Sequence, residues 1–269
     1  MRLPKLIATD LDGTLVRSDQ TVSPRSHRIL RRLADAGVTI VGITGRGPRL
    51  LDLCRRDIPS ADYLVMAQGG FSFDCAPEVP VPLHETFMPG RRAAEVVDLI
   101  EDRVGHGLTV IAETDPGQDA PLIGNVIPDW PWPVPILGKE RHEVFDGPVI
   151  KTFLRSPVIP SLELLDTGRS VVPGELASLT EAGIGFVEVC PSGTDKGSGL
   201  SRLADRLGVR RDEVMVFGDA VNDLPMFEWA GHAVAVIGAH PDVKAAADEV
   251  TAGNDEDGVA IYLERLLDA

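Results

Sequence analysis

The chain has 269 residues, 43% of them hydrophobic and 25% charged, which suffices for one large globular domain or two smaller ones. Its formal charge of −15 excludes a general nucleic-acid binder, since a phosphate backbone attracts clustered Lys and Arg. A small phosphorylated ligand stays open, because a metal ion and a few cations reverse a local field.

Leu6 to Asp10 reads as a short buried strand. Ser23 and Pro24 open a helix as N-cap and first-turn proline, and Gly37 closes it after Ile29, Leu30, Leu33 and Ala34. Val38 to Ile43 is a second strand, Pro48 to Arg56 a helix, and Tyr63 to Met66 a third strand. Such alternation predicts a parallel sheet covered by helices. The stretch PEVPVPLHETFMPG, residues 77–90, is proline-rich and reads as a linker. A helix over Arg91 to Arg103 and a strand over Leu108 to Ala112 follow, then a long irregular stretch and a strand around Val149 to Leu154. Leu176 to Cys190 suggests two strands turning near Gly183, with a helix over Glu175 to Ala182 as the alternative. Alternation then resumes: helix Gly197 to Leu207, strand Val214 to Phe217, helix Asp223 to Ala230, strand Ala233 to Ile237, and a last helix Val259 to Leu267. The expected fold is α/β, a discontinuous parallel-sheet core (1–82 and 187–269) with an inserted α/β segment (83–186).

Cys54, Cys75 and Cys190 form no CxxC pair and cannot all be bridged, which suits a reducing compartment. Acids interrupt Leu6 to Leu15, so the N-terminus offers no secretory core, and no apolar run reaches membrane-spanning length. A soluble cytoplasmic protein is expected, with neither nucleic acid nor membrane as partner.

Four places carry chemistry. Asp10 and Asp12 stand two apart where the first strand ends, so their side chains project the same way, with Gly13 and Thr14 at the turn. Ligands of open α/β sheets bind beyond such carboxyl ends. Taken alone the pair is more often a turn. A calcium loop fits poorly, because its sixth and twelfth positions would be Leu15 and Thr21 rather than Gly and Glu. In GITGR, Thr44 ends the second strand and Gly45 lets the backbone approach a ligand. Lys196 enters a helix, where the dipole disfavours a cation unless an anion is present; a solvated lysine is the plainer reading. In VMVFGDAVND, Asp219, Asn222 and Asp223 follow a buried strand, as hard-cation ligands or as ordinary capping residues. Converging carboxylates, a hydroxyl and a lysine would together suit Mg²⁺, which takes few protein carboxylates and completes its shell with water and phosphate.

DLDGT, TGR, Lys196 and GDAVND also stand in the order and approximate spacing of the haloacid dehalogenase-like (HAD) hydrolases, and nearly the whole core resembles that family. MFEWAGHAVAV, VKAAADEVT and NDEDGVA resemble its Cof-type branch, and the inserted segment resembles the cap called C2, type B. The resemblance implies a Rossmann-like core and a Mg²⁺-dependent phosphatase acting on a small phosphorylated metabolite. It makes Asp10 the nucleophile that becomes an aspartyl-phosphate. Asp12 becomes the general acid/base, its backbone carbonyl also touching the metal. Thr44, the Gly45 amide and Asn222 would hold phosphate, Lys196 would neutralise charge, and Asp219 and Asp223 would bind Mg²⁺. Two departures bear on substrate contacts. Gln68-Gly69-Gly70 replaces the Asn-Gly of many relatives, and Gly238-Ala239-His240 replaces their Gly-Asn-Ala.

In the inserted segment, Trp130 or Trp132 of IPDWPWPVP could stack on a sugar or base, or pack locally. Glu113, Asp115, His142 and Lys151 are polar candidates without positional support. A sugar-phosphate mutase is the nearest rival function. A phospho-acceptor module is the more distant one, and it would not need Asp12 as a proton carrier.

Overall fold

A computed structural model describes residues 3–128, 130 and 134–268. The strands are β1 Leu6–Asp10, β2 Thr39–Ile43, β3 Tyr63–Met66, β4 Phe71–Asp74, β5 Val81–Glu85, β6 Thr109–Glu113 and β7 Leu122–Gly124, followed by β8 Ile136–Gly138, β9 Lys151–Arg155, β10 Ala177–Glu181, β11 Val187–Pro191, β12 Val214–Gly218, β13 His232–Val236 and β14 Glu249–Thr251. The helices are α1 Pro24–Asp35, α2 Leu51–Asp57, α3 Gly90–Val104, α4 Arg141–Val144, α5 Ser161–Val171, α6 Lys196–Leu207, α7 Leu224–Trp229, α8 Pro241–Ala246 and α9 Gly258–Leu267.

Among the described residues the strands form two sheets. The larger runs β14-β13-β12-β1-β2-β3-β4-β5. It is parallel from β14 to β3, and β4 and β5 add an antiparallel edge. β1 lies at its centre between β12 and β2, so Asp10, Thr44 and Asp219 leave the sheet at neighbouring strand ends. Central strands of a sheet covered on both faces read as continuous apolar runs, and β1 is buried at every position. One face packs Ile29, Leu30 and Leu33 of α1 with Val259, Ala260 and Leu263 of α9; the other packs Leu200 and Leu203 of α6 with Met226 and Phe227 of α7.

The smaller sheet runs β10-β11-β9-β6-β7-β8 and is antiparallel except for the β7–β8 pair. One face carries α3 and α5 through Val96, Val97, Ile100, Leu164 and Leu165. The α/β architecture is the expected one. The pairing keeps the chain in the larger sheet to Glu85 and in the smaller sheet to Pro191. A division into core and inserted cap, which we propose on this pairing, crosses there rather than at 82 and 187.

Several local expectations need correction. Residues 77–90 are not a free linker, since β5 pairs with β4 inside them. Pro82 lacks an N–H, but at a sheet edge none is required. The four-residue β4, too short to show a period, was not foreseen. The helical alternative over Glu175 to Ala182 fails because burial alternates along β10, as a strand half covered by α5 demands. Helix α5 fell inside a stretch with no assigned element. Its Gly168 weakens the helix signal and is needed there, since a Cβ would press on the Leu179 side chain.

Candidate active site

Asp10 ends β1 and Asp219 follows β12, while Asp223 closes the short helical turn Val221–Asp223. Each offers a carboxylate oxygen within 4.8 Å of the other two, and no other acidic, His or Cys group of this kind exists among the described residues. Lys196, the first residue of α6, reaches into the group. Its Nζ donates to Asp10 Oδ1 and Asp223 Oδ1, both at 2.5 Å. The side chain of Asp195 caps that helix by accepting from Ser198 N at 2.7 Å, which fixes where Lys196 emerges.

Electrostatics follow from burial and crowding. Desolvation, set against Lys196 and reinforced by Asp223 and Asp219, raises the Asp10 carboxyl well above its ordinary range. Desolvation and then Asp223 push Asp219 up to about 6. Burial pulls the Lys196 ammonium down, but Asp10 and Asp223 outweigh it and its pKa rises, so it stays charged. Three carboxylates against one ammonium leave an excess of negative charge in a nearly dry site. Hard oxygen donors with that excess fit a divalent cation held by Asp10, Asp219 and Asp223.

Two further oxygens of the group are held by neighbours. Asp223 Oδ2 accepts from the backbone amides of Asp219 and Ala220 at 2.8 and 3.0 Å, and Asp219 Oδ1 accepts from Thr14 Oγ1 at 2.7 Å. Gly13 has φ +84°, and a Cβ there would run into the Asp219 carboxylate, so glycine is required on both counts. The loop Gly238-Ala239-His240 also touches this region, for His240 N donates to the Asp219 carbonyl.

Asp12 is not one of the three clustered carboxylates. Arg46 holds it in a two-pronged pair, Nη2 to Oδ1 at 2.6 Å and Nε to Oδ2 at 2.8 Å, while Arg46 Nη1 reaches Asp57 Oδ2 at 2.5 Å. The expected metal contact of Asp12 is through its backbone carbonyl, a separate matter from this pairing. Thr44 is buried with Oγ1 accepting from Arg46 N at 3.1 Å, and Gly45 follows it in the same turn. Asn222 is buried and donates through Nδ2 to Gln68 Oε1 at 3.1 Å.

Sequence reasoning gave Arg46 and Glu188 no role, met Gln68 only as a departure bearing on substrate contacts, and gave Lys151 no position. Lys151 Nζ donates to the carbonyl of Gly45 and to Glu188 Oε1 at 2.9 Å, joining the smaller sheet to the turn after β2. Beside it Arg49 and Glu113, both almost fully buried, pair across the same seam at 3.6 Å. The usable signal was a charged residue inside an otherwise apolar strand, as in Val187-Glu188-Val189. Trp130 packs edge-on against Phe186 with ring centroids 5.8 Å apart, in a cluster with Phe153 and Ile111, so local packing describes it. Trp132 lies outside the described residues. A cavity of about 490 Å³ opens between Ser178 and Thr180 of β10 and the wall made by Gln68, Lys196 and Asn222.

Known proteins match this chain over nearly its whole length. A family model for haloacid dehalogenase-like hydrolases matches residues 7–115 and 145–263. A 5-amino-6-(5-phospho-D-ribitylamino)uracil phosphatase of Bacillus subtilis is 26% identical over 98% of both chains. Among solved structures, a phosphatase of the haloalkanoate (HAD) superfamily from Bacteroides thetaiotaomicron is 25% identical with a TM-score of 0.80, covering 98% of this chain and 95% of that one. A Streptococcus mutans protein reaches a TM-score of 0.83 at 23% identity over 99% and 100% of the two chains.

Proposed function

Because this chain belongs to the haloacid dehalogenase-like hydrolases and is a phosphatase, we propose that it hydrolyses small phosphomonoesters, sugar phosphates or related phosphometabolites, through a Mg²⁺-dependent aspartyl-phosphate route. The observation that carries the reading is the meeting of Asp10, Asp219 and Asp223 around the Lys196 ammonium. The Bacillus relative, named for a phosphorylated ribityl compound, supports a polyol or sugar phosphate as substrate class. No helix among the described residues is long and apolar enough to cross a membrane, and all three cysteines are free. Both features accord with the proposed cytoplasmic location.

In the proposed mechanism an Asp10 carboxylate oxygen attacks phosphorus while the bond to the leaving oxygen breaks, and Asp12 gives that oxygen a proton. Water then attacks the aspartyl-phosphate, Asp12 takes the water's proton, and the Asp10 carboxylate departs as phosphate is released. Lys196 offsets charge on Asp10 and on the phosphoryl oxygens, which matters most in the transition state. Thr44, the Gly45 amide and Asn222 hold those oxygens in place. Arg46 restrains Asp12 between its two proton transfers, so that carboxylate must loosen from the guanidinium to serve. Mg²⁺, when held by Asp10, Asp219 and Asp223, supplies the positive charge that lets a carboxylate approach a phosphate dianion.

The test is a panel of phosphometabolites assayed with Mg²⁺, with chelator, and with Asp10→Asn. Turnover should vanish reversibly on chelation and fall on the order of 10⁴-fold or more in the folded variant. Turnover without metal, or substantial activity in Asp10→Asn, would refute the reading.

A further inference from the structure

We infer that Lys151, Glu188 and Gln68 form a positioning relay through which the smaller sheet sets the geometry of the phosphate side of the site. The inference rests on the assignment, made above, of Thr44, Gly45 and Asn222 to phosphate.

The bonds are continuous. Lys151 Nζ donates to the Gly45 carbonyl and to Glu188 Oε1. Gln68 Nε2 donates to Glu188 Oε2 at 2.8 Å, and Asn222 Nδ2 donates to Gln68 Oε1 at 3.1 Å. Direction travels along this chain. An ionised Glu188 only accepts, so it turns the Nε2 end of Gln68 toward itself and the Oε1 end toward Asn222. That choice in turn orients the Asn222 amide. The second N–H of Nδ2 is then left to meet a phosphate oxygen. At the other end Lys151 pins the peptide plane that follows Gly45, and the next residue, Arg46, is the one that grips Asp12.

Two further observations separate a relay from ordinary packing. Ala67, Gln68 and Gly69 have φ of +49°, +57° and +98°, two of them in the left-handed region without being glycine. Strain of this kind persists where the surroundings over-determine it, and here it aims a fully buried Gln68 at Glu188 and Asn222. The second is the pair itself. Lys151 and Glu188 have side chains only 2% exposed, on adjacent strands β9 and β11. A well-packed apolar pair of similar volume is often as stable or more so. Stability alone therefore does not account for two buried charges, whereas orientation does.

The experiment uses the full chain with Mg²⁺ and two readouts, kcat/KM for p-nitrophenyl phosphate and the inhibition constant of inorganic phosphate. Both are taken well below each variant's unfolding midpoint. Lys151→Met and Gln68→Met remove relay contacts at nearly constant volume. Each should lower kcat/KM by about 10- to 100-fold and weaken phosphate inhibition in parallel, as expected when a supporting contact is lost. Should Lys151→Met fail to fold, Gln68→Met, which leaves every charge in place, carries the same test. Unchanged values for both readouts, with only the midpoint lowered, would make the residues structural and overturn the relay. A fall in kcat/KM with unaltered phosphate inhibition would make them leaving-group contacts and overturn it equally. If the unaltered protein turns over no phosphate ester, the phosphatase mechanism fails, while phosphate binding measured by calorimetry still reads the relay.

Discussion

Replacing Asp219 by Asn should make the metal-free protein more stable, not less. Asn keeps the shape and can still accept from Thr14 Oγ1, while the like charge facing Asp10 and Asp223 disappears. The native Asp219 pKa of about 6 stands roughly 2 units above its ordinary 3.8, which corresponds to about 3 kcal/mol. Native Asp219 holds its proton up to about pH 6, and the unfolded chain releases it near 3.8. Between those values the native state binds more protons, so wild-type stability falls as pH rises. The variant escapes this loss. Its advantage should be absent near pH 4, grow through pH 6 and then level off at about 3 kcal/mol, or some 6–12 °C in unfolding midpoint. With Mg²⁺ at a hundred times its dissociation constant the wild type should regain about 2.7 kcal/mol, and the variant little of it. Thermal unfolding with and without chelator, from pH 4 to 8, measures all of this. A metal-free Asn variant that melts at or below wild type at pH 7.5, or an advantage independent of pH, would refute the crowded-carboxylate account.

Two further substitutions test the scaffold. At Gly47 a Cβ would overlap the Glu113 carboxylate, which is buried and has little room to retreat, so Gly47→Ala should cost about 1–3 kcal/mol in urea unfolding. An unchanged midpoint would mean that β6 does not press on this turn in solution. Ser23→Ala removes the N-cap of α1, whose Oγ accepts from Ser26 N at 3.0 Å; about 1 kcal/mol should be lost with kcat unaltered. A change in kcat would show that α1 is coupled to the site.

Elements whose residues follow one period were legible from sequence. β1, β2 and β12 announced themselves as apolar runs, and α1 carried its serine cap and first-turn proline. The three clustered acids were legible only in combination. Each alone reads as turn or cap chemistry, while Asp10 ending one buried strand and Asp219 following another put acids at two neighbouring strand ends. Lys196 is the same case at a helix start, where only nearby anions make a cation comfortable. What stayed hidden depends on pairing between distant segments. β4 is four residues long and β7 and β8 three each, too short to show a period. Glu188 and Gln68 meet across 120 positions, so the acid inside an apolar strand and the glutamine in a glycine turn are each visible locally while their pairing is not. Arg46 is within sight in GITGR, but nothing in the sequence shows that its guanidinium turns back across 34 positions to the Asp12 carboxylate.

The proline spacing around β5 has a consequence for the protein in bulk. An outermost strand offers its unpaired amides and carbonyls to any extended chain that drifts past, and Val79 and Val81 there are exposed. Pro80 and Pro82 delete two of the donors such a visitor would need. Concentrated samples should therefore resist end-to-end ribbon growth along this margin, and converting both prolines to threonine should invite it.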